Sequence, residues 1–180
     1  LRTDRLDLLL HRPDLLAEPD GIARAFERLG ASGKVLAFGA CNHAVGSFAR
    51  LHARTPLATH QFELSPLQMQ ALADGTLEQA ADRRLRPIIW SPLAGGRLPT
   101  GQDEHARRVR GTLESIGRDH GVGATTIAYA WIRRHPSRPV PITGSRRLDA
   151  LREAVASESL VLGREDRYRI WQASMGHDLP

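Results

Sequence analysis

Five polar or aromatic stops on otherwise apolar runs hold the chemistry this sequence could do. They are His11 in LDLLLHRPD, Cys41-Asn42 closing VLAFGACN, Gln61 in HQFEL, Trp90-Ser91 in RPIIWSPL, and Gly144-Ser145 in PVPITGS. An imidazole can donate a hydrogen bond to an oxygen gaining negative charge, a primary amide offers donors and an acceptor, and an indole is a large flat surface. Ser145, Arg146 and Arg147 precede a helical pattern, where free N–H groups and the helix dipole suit a phosphate and guanidinium groups add paired donors. Each feature also has a plain structural explanation. His11 could be satisfied by backbone, Asn42 could cap the next helix, Trp90 could be a core residue, and the arginines after Ser145 could be solvated.

Those residues need elements to bring them together. The apolar run at 6–11, stopped by Pro13, reads as a buried strand. Behind it the pattern predicts helix 19–31, strand 35–41, helix 45–54, strand 58–64, a helix near 67–84 and strand 86–93. A Gly- and Pro-rich loop at 94–104 follows, then helices at 105–119 and 125–135, a strand near 139–143, a helix at 148–157 and a tail helix at 164–176. Five strand–helix units without hairpin signals predict a parallel sheet with helices outside it. In such α/β folds, sites gather at the carboxyl ends of the strands, where the five stops lie.

Size and composition narrow the function classes. The 180 residues, 41% of them hydrophobic, suffice for one core and favour one domain over 1–180. The formal charge is +5, carried almost wholly by arginine, with Lys34 the single lysine. Arginine pairs at 83–84, 107–108, 133–134 and 146–147 are scattered without aromatic interleaving, which argues against a nucleic-acid groove. One cysteine excludes an internal disulfide framework, and neither CxxC nor HExxH spacing occurs, so no metal is expected. No apolar run reaches the roughly 20 residues that span a bilayer, and no signal segment opens the chain, which reads as soluble, intracellular and cytoplasmic.

In this order the strand ends resemble the aldo-keto reductase family, specifically its bacterial oxidoreductase branch. The resemblance rests on DLLLHRPD, ASGKVLAFGACN, HQFELSPLQ, RPIIWSPLAGGRL, HPSRPVPITGS and IWQASMGHDLP. It implies an α/β fold of the (β/α)8 TIM-barrel family, with about five βα units present and the amino-terminal strands missing. The implied activity is hydride transfer between a nicotinamide dinucleotide, preferably NADP, and the carbonyl of an aldehyde or ketone. His11 matches the histidine that orients or polarises that carbonyl. Asn42 and Gln61 match the residues that hold the nicotinamide carboxamide, although Cys41 stands where the family usually has serine. Trp90 matches the aromatic residue that stacks on the ring, and Ser91 and Leu93 match the start of the pyrophosphate loop, with Arg97 in reach when it closes. Ser145, Arg146 and Arg147 match the 2′-phosphate pocket, while Arg152 and Glu153 face the adenosine end. Ala150 takes the place of a frequent arginine.

The resemblance also implies what these residues lack. The family's proton donor is a tyrosine tuned by a lysine and an aspartate, and none can be matched to Tyr129, Tyr168 or Lys34. A positioned general acid contributes about 10² to 10⁴ in rate, so these 180 residues alone are expected to be inactive or nearly so. A barrel of this kind uses about 250 residues and eight strands, which makes the carboxyl-terminal portion of a longer reductase the simplest expectation. Two alternatives stay open: a noncatalytic dinucleotide-binding or regulatory protein of the same fold, and an unrelated α/β domain binding a phosphorylated metabolite at 143–147. The partner expected is a small-molecule carbonyl substrate, contacted by the 94–104 loop and the HDLP tail. The sequence assigns no oligomeric state.

Overall fold

The computed structural model describes residues 2–14 and 16–178. The short apolar runs form β1 (Leu6–His11), β2 (Val35–Cys41), β3 (Thr59–Glu63), β4 (Ile88–Trp90) and β5 (Val140–Pro141). Every neighbouring pair is parallel, in the order β1-β2-β3-β4-β5. A parallel step requires a crossover, and each one here carries helix. The helices are α1 (Pro19–Ala31), α2 (Val45–His52), α3 (Gln70–Ala73), α4 (Thr76–Asp82), α5 (Arg97–Thr100), α6 (Glu104–His120) and α7 (Ala124–Arg133). After β5 come α8 (Leu148–Ala156) and α9 (Arg164–Met175). The alternation expected from the sequence is the one observed.

Local signals explain most boundaries. Pro19 and Asp20 open α1, and the chain leaves it through Gly33 at φ +69°. In α6 the Asp103 carboxylate accepts from the Ala106 N–H at 3.0 Å, and Gly121 at φ +67° stops the helix. Two expectations change. The helix predicted near 67–84 is two pieces, because Gly75 sits at φ +83° and Asp74 Oδ1 accepts from the Thr76 N–H at 3.0 Å, restarting the helix. The 94–104 loop is also not bare: it holds a 3-10 turn at Ala94–Gly96 and then α5.

Apolar faces bury against the sheet and one another. Phe62, Leu64, Leu77, Ile89 and Ile132 form one cluster, and Phe26, Ala40, Phe48, Leu51 and Leu57 another. A third joins α6, α7 and α9 through Val109, Leu113, Ile116, Ile127 and Ile170. Burying one such Leu or Ile contributes about 1.5–3 kcal/mol, so these contacts decide which helix faces turn inward. Gly39 allows close strand approach, since a Cβ there would meet Leu10 Cδ2 at 2.7 Å and the Thr59 carbonyl oxygen at 2.8 Å.

The register then sets the site. His11 lies opposite Ala40, Ala40 opposite His60, and Cys41 opposite Gln61, while Glu63 lies opposite Trp90. All strands run the same way, so these residues and the loops after them converge at one end of the sheet.

Candidate functional site

Around the ends of β1 and β2 three histidines are linked. His11 Nδ1 lies 3.2 Å from His43 Nε2, and His43 Nδ1 lies 3.1 Å from Ser47 Oγ, on the first turn of α2. The backbone N–H of His43 donates to His60 Nε2 at 3.2 Å, so that ring nitrogen must be unprotonated. His60 is 1% exposed, stacks on Phe48 and meets Phe62 edge-on. Burial, helped by the charge of His43, lowers its pKa to about 4. Burial likewise lowers the pKa of His11, against the pull of the Asp14 carboxylate, and that of His43.

Beside this cluster two amides are already oriented. Trp90 Nε1 donates to Asn42 Oδ1 at 2.9 Å, which leaves the Asn42 NH2 as a free pair of donors. Asn42 holds φ +56°, a conformation asparagine tolerates better than most residues. It does not cap α2, whose N-cap is Ala44 without a side-chain bond. The Cys41 thiol donates to Gln61 Oε1 at 3.4 Å, and burial raises its pKa, so it stays a protonated donor. Cysteine here thus makes a weak version of the bond a hydroxyl would make. Trp90 is half-buried, not a core residue, and with Asn42, His43, Glu63 and Gln68 it lines a cleft of about 350 Å³.

A second groove, of about 580 Å³, runs between the β4–α5 turn and the start of α8. Its walls include Ser91, Leu93, Gly95, Ser145, Arg147 and Glu153. Ser91, Ala94, Gly95 and Gly96 all have positive φ, and a Cβ built on either glycine would meet nothing within 4 Å, so the backbone is bare on that side. The first turn of α8 has no side-chain cap; Ser145 Oγ instead accepts from the Arg147 N–H at 3.2 Å. Free N–H groups, an arginine and an open backbone fit the phosphates of a dinucleotide.

The structure therefore brings Ser91, Leu93, Ser145, Arg147 and Glu153 around one groove, and Asn42 and Trp90 around one cleft; Gln61 and His11 do not line that cleft, although the Gln61 carbonyl accepts from the Asn42 N–H at 2.8 Å. Arg97 stands apart from both. It forms a two-pronged bond with Asp103, with Nη2 2.8 Å from Oδ1 and Nε 3.1 Å from Oδ2, which draws the Asp103 carboxyl down to a pKa of about 2. Arg152 turns to Asp149 at 3.4 Å, and Arg146 is exposed. From the HDLP tail, His177 and Asp178 line an outer groove with Arg107 and Gln172, while Leu179 and Pro180 lie outside the described residues. No group of three His, Cys, Asp or Glu among the described residues is placed to hold a metal, and none of the helices described is long and apolar enough to cross a membrane.

Sequence reasoning missed His43, His60 and Ser47. The available signal was that His43 follows Asn42 and His60 precedes Gln61 on strands that had to be neighbours. What it could not supply was the register and ring directions that make the contact.

Comparison with known proteins fits this geometry. The family model described as Aldo/keto reductase family matches residues 1–174. Oxidoreductase YdhF of Escherichia coli is 44% identical over all of this chain and 61% of its own. A 6-dehydroglucose reductase of Novosphingobium aromaticivorans is 37% identical, again over all of this chain and 60% of its own. The chain thus spans about three fifths of the length of these relatives. Among solved structures, the thermostable aldo-keto reductase Tm1743 crystallised with the inhibitor epalrestat superposes with a TM-score of 0.83 at 23% identity. That match covers 95% of this chain and 61% of the other, and it places the five strands and their helices in the TIM-barrel family.

Proposed function

The chain belongs to the aldo/keto reductase family, and from that premise we propose that its residues form the cofactor half of an NADP-dependent carbonyl reductase together with its carbonyl-orienting histidine. The observation that carries this reading is the Trp90–Asn42 hydrogen bond beside Gln61, because it presents free amide donors and an indole in one cleft.

A bound nicotinamide dinucleotide supplies a hydride to the substrate carbon. Asn42 and Gln61 hold the carboxamide, and that hold selects which ring face points to the substrate. Trp90 supports the ring by stacking. Ser91 and Leu93 begin the loop over the pyrophosphate, while Ser145, Arg146 and Arg147 take the 2′-phosphate, with Arg152 and Glu153 toward the adenosine. Arg97 joins the pyrophosphate only by leaving Asp103. His11 donates a hydrogen bond to the carbonyl oxygen, where charge grows as hydride arrives. The substrate class is a small aldehyde or ketone, and 6-dehydroglucose is the first compound to assay, given the name of one relative. The reaction draws on the cytoplasmic nucleotide pool.

Quenching of protein fluorescence on titration with NADPH and with NADH tests the cofactor assignment. We expect tight binding of NADPH and weaker binding of NADH; equal affinities remove the phosphate role from Ser145 to Arg147. A second reading is a noncatalytic dinucleotide-binding or regulatory protein. Tyr129 is buried in α7, Tyr168 lies on α9, and neither lines the cleft beside His43, so a tyrosine and a lysine elsewhere in the full-length gene product would favour the enzyme. These 180 residues alone are expected to show little or no turnover, so the assay that separates the readings is NADPH oxidation by the full-length gene product.

A further inference from the structure

The hydrogen bonds from Ser47 through His43 to His11 have a direction, and that direction decides what His11 can do. Burial keeps both rings neutral, and a neutral imidazole carries one proton. In one arrangement the Ser47 hydroxyl donates to His43 Nδ1, His43 Nε2–H donates to His11 Nδ1, and His11 keeps its own proton on Nε2. In the other every donor is reversed, and His11 Nε2 is a bare lone pair. An oxygen gaining negative charge needs a donor, so only the first arrangement lets His11 orient a carbonyl.

The role of His11 as a donor selects between them. With its proton on Nε2, His11 Nδ1 is bare, so His43 Nε2, 3.2 Å away, must bring the proton. On the other side, the His43 backbone N–H is tied to buried His60, which holds the ring in place. Ser47 meets Nδ1, the nitrogen left to accept.

We propose that His43 is a positioning residue, with Ser47 as its proton anchor, that holds His11 in the Nε2–H tautomer aimed at the substrate carbonyl. The proposal rests on the reading of His11 as the carbonyl-orienting group. In this role His43 acts through His11.

Long-range proton–nitrogen NMR of the ¹⁵N-labelled full-length gene product at neutral pH reads the ring tautomers without any turnover. We expect a protonated Nε2 and a bare Nδ1 on both His11 and His43, with Ser47→Ala converting His11 to a mixture. A proton on His11 Nδ1 in the parent protein overturns the proposal. In steady-state assays His43→Leu is expected to lower kcat about tenfold or more, as loss of an imposed tautomer does, with the KM for the carbonyl substrate changed little. His43→Gln, whose amide can still donate to His11, is expected to recover most of that loss. If His11→Ala abolishes turnover while His43→Leu leaves kcat intact, the positioning role is overturned. If the tautomers are as expected but His11→Ala leaves turnover unchanged, it is the reading of His11 that fails and not the direction of the hydrogen-bond chain.

Discussion

The histidine and amide end of the site is held by side chains that bond one another, whereas the arginine end is shaped by backbone and left open to water. His11, His43 and Ser47 are in series, Trp90 holds Asn42, and Cys41 meets Gln61. At the other end Arg146 is exposed, and Gly95 and Gly96 offer only bare backbone. The contrast follows from what each end must do. A hydride and a polarised carbonyl demand exact geometry, because misplacement by about an ångström costs rate, while a phosphate is attracted by charge from several directions.

If that contrast is right, changes at the two ends should separate cleanly in size and in kind. The largest effect is expected at His11: His11→Ala in the full-length gene product should lower kcat by about 10² or more while NADPH affinity stays within about twofold. Stopped-flow turnover and equilibrium titration measure the two, and a loss shared equally between them breaks the comparison.

The next largest effect is in folding. His60 titrates near 6.5 when unfolded and at about 4 when folded. Between those values the unfolded chain binds more protons, so stability is complete above pH 6.5 and falls as pH drops toward 4, by roughly 3 kcal/mol from this group. Urea unfolding at a series of pH values should show that slope, and His60→Asn should flatten it; an unchanged slope removes His60 as its source.

Smaller effects belong to the open end. Arg147→Ala should weaken NADPH binding about tenfold and leave NADH unchanged, as loss of one charge-assisted hydrogen bond would. A parallel loss for NADH would show that the groove reads shape rather than the extra phosphate. Smallest of all, Asp103→Ala frees Arg97 and uncaps α6. Thermal unfolding should move by a few degrees at most, and NADPH affinity should hold or rise slightly. A clear fall in affinity would mean that the Arg97–Asp103 pair itself shapes the pyrophosphate loop.

Much of this organisation was legible in the residue order. Pro13 ends the first strand, Pro19 and Asp20 open α1, and Gly33 closes it, each through its own backbone chemistry. The split between α3 and α4 was less visible, because Leu72 and Leu77 continue a plausible apolar stripe across Gly75. The site was legible one strand end at a time. Asn42 had a local explanation as a helix cap, and only its bond to Trp90, 48 positions later, set that aside.

By itself the sequence determined the alternation of short apolar strands with amphipathic helices, and with it a parallel sheet whose polar residues gather at one end. Those are consequences of spacing, proline, glycine and burial, which act over a few residues at a time. Tertiary structure alone decided that His43 faces His11, that Ser47 faces the far side of the same ring, and that Asp103 takes Arg97 away from the groove. These depend on strand register and on which way a ring turns once its neighbours are packed. A one-residue slip of β1 against β2 would send the His11 side chain to the opposite face of the sheet.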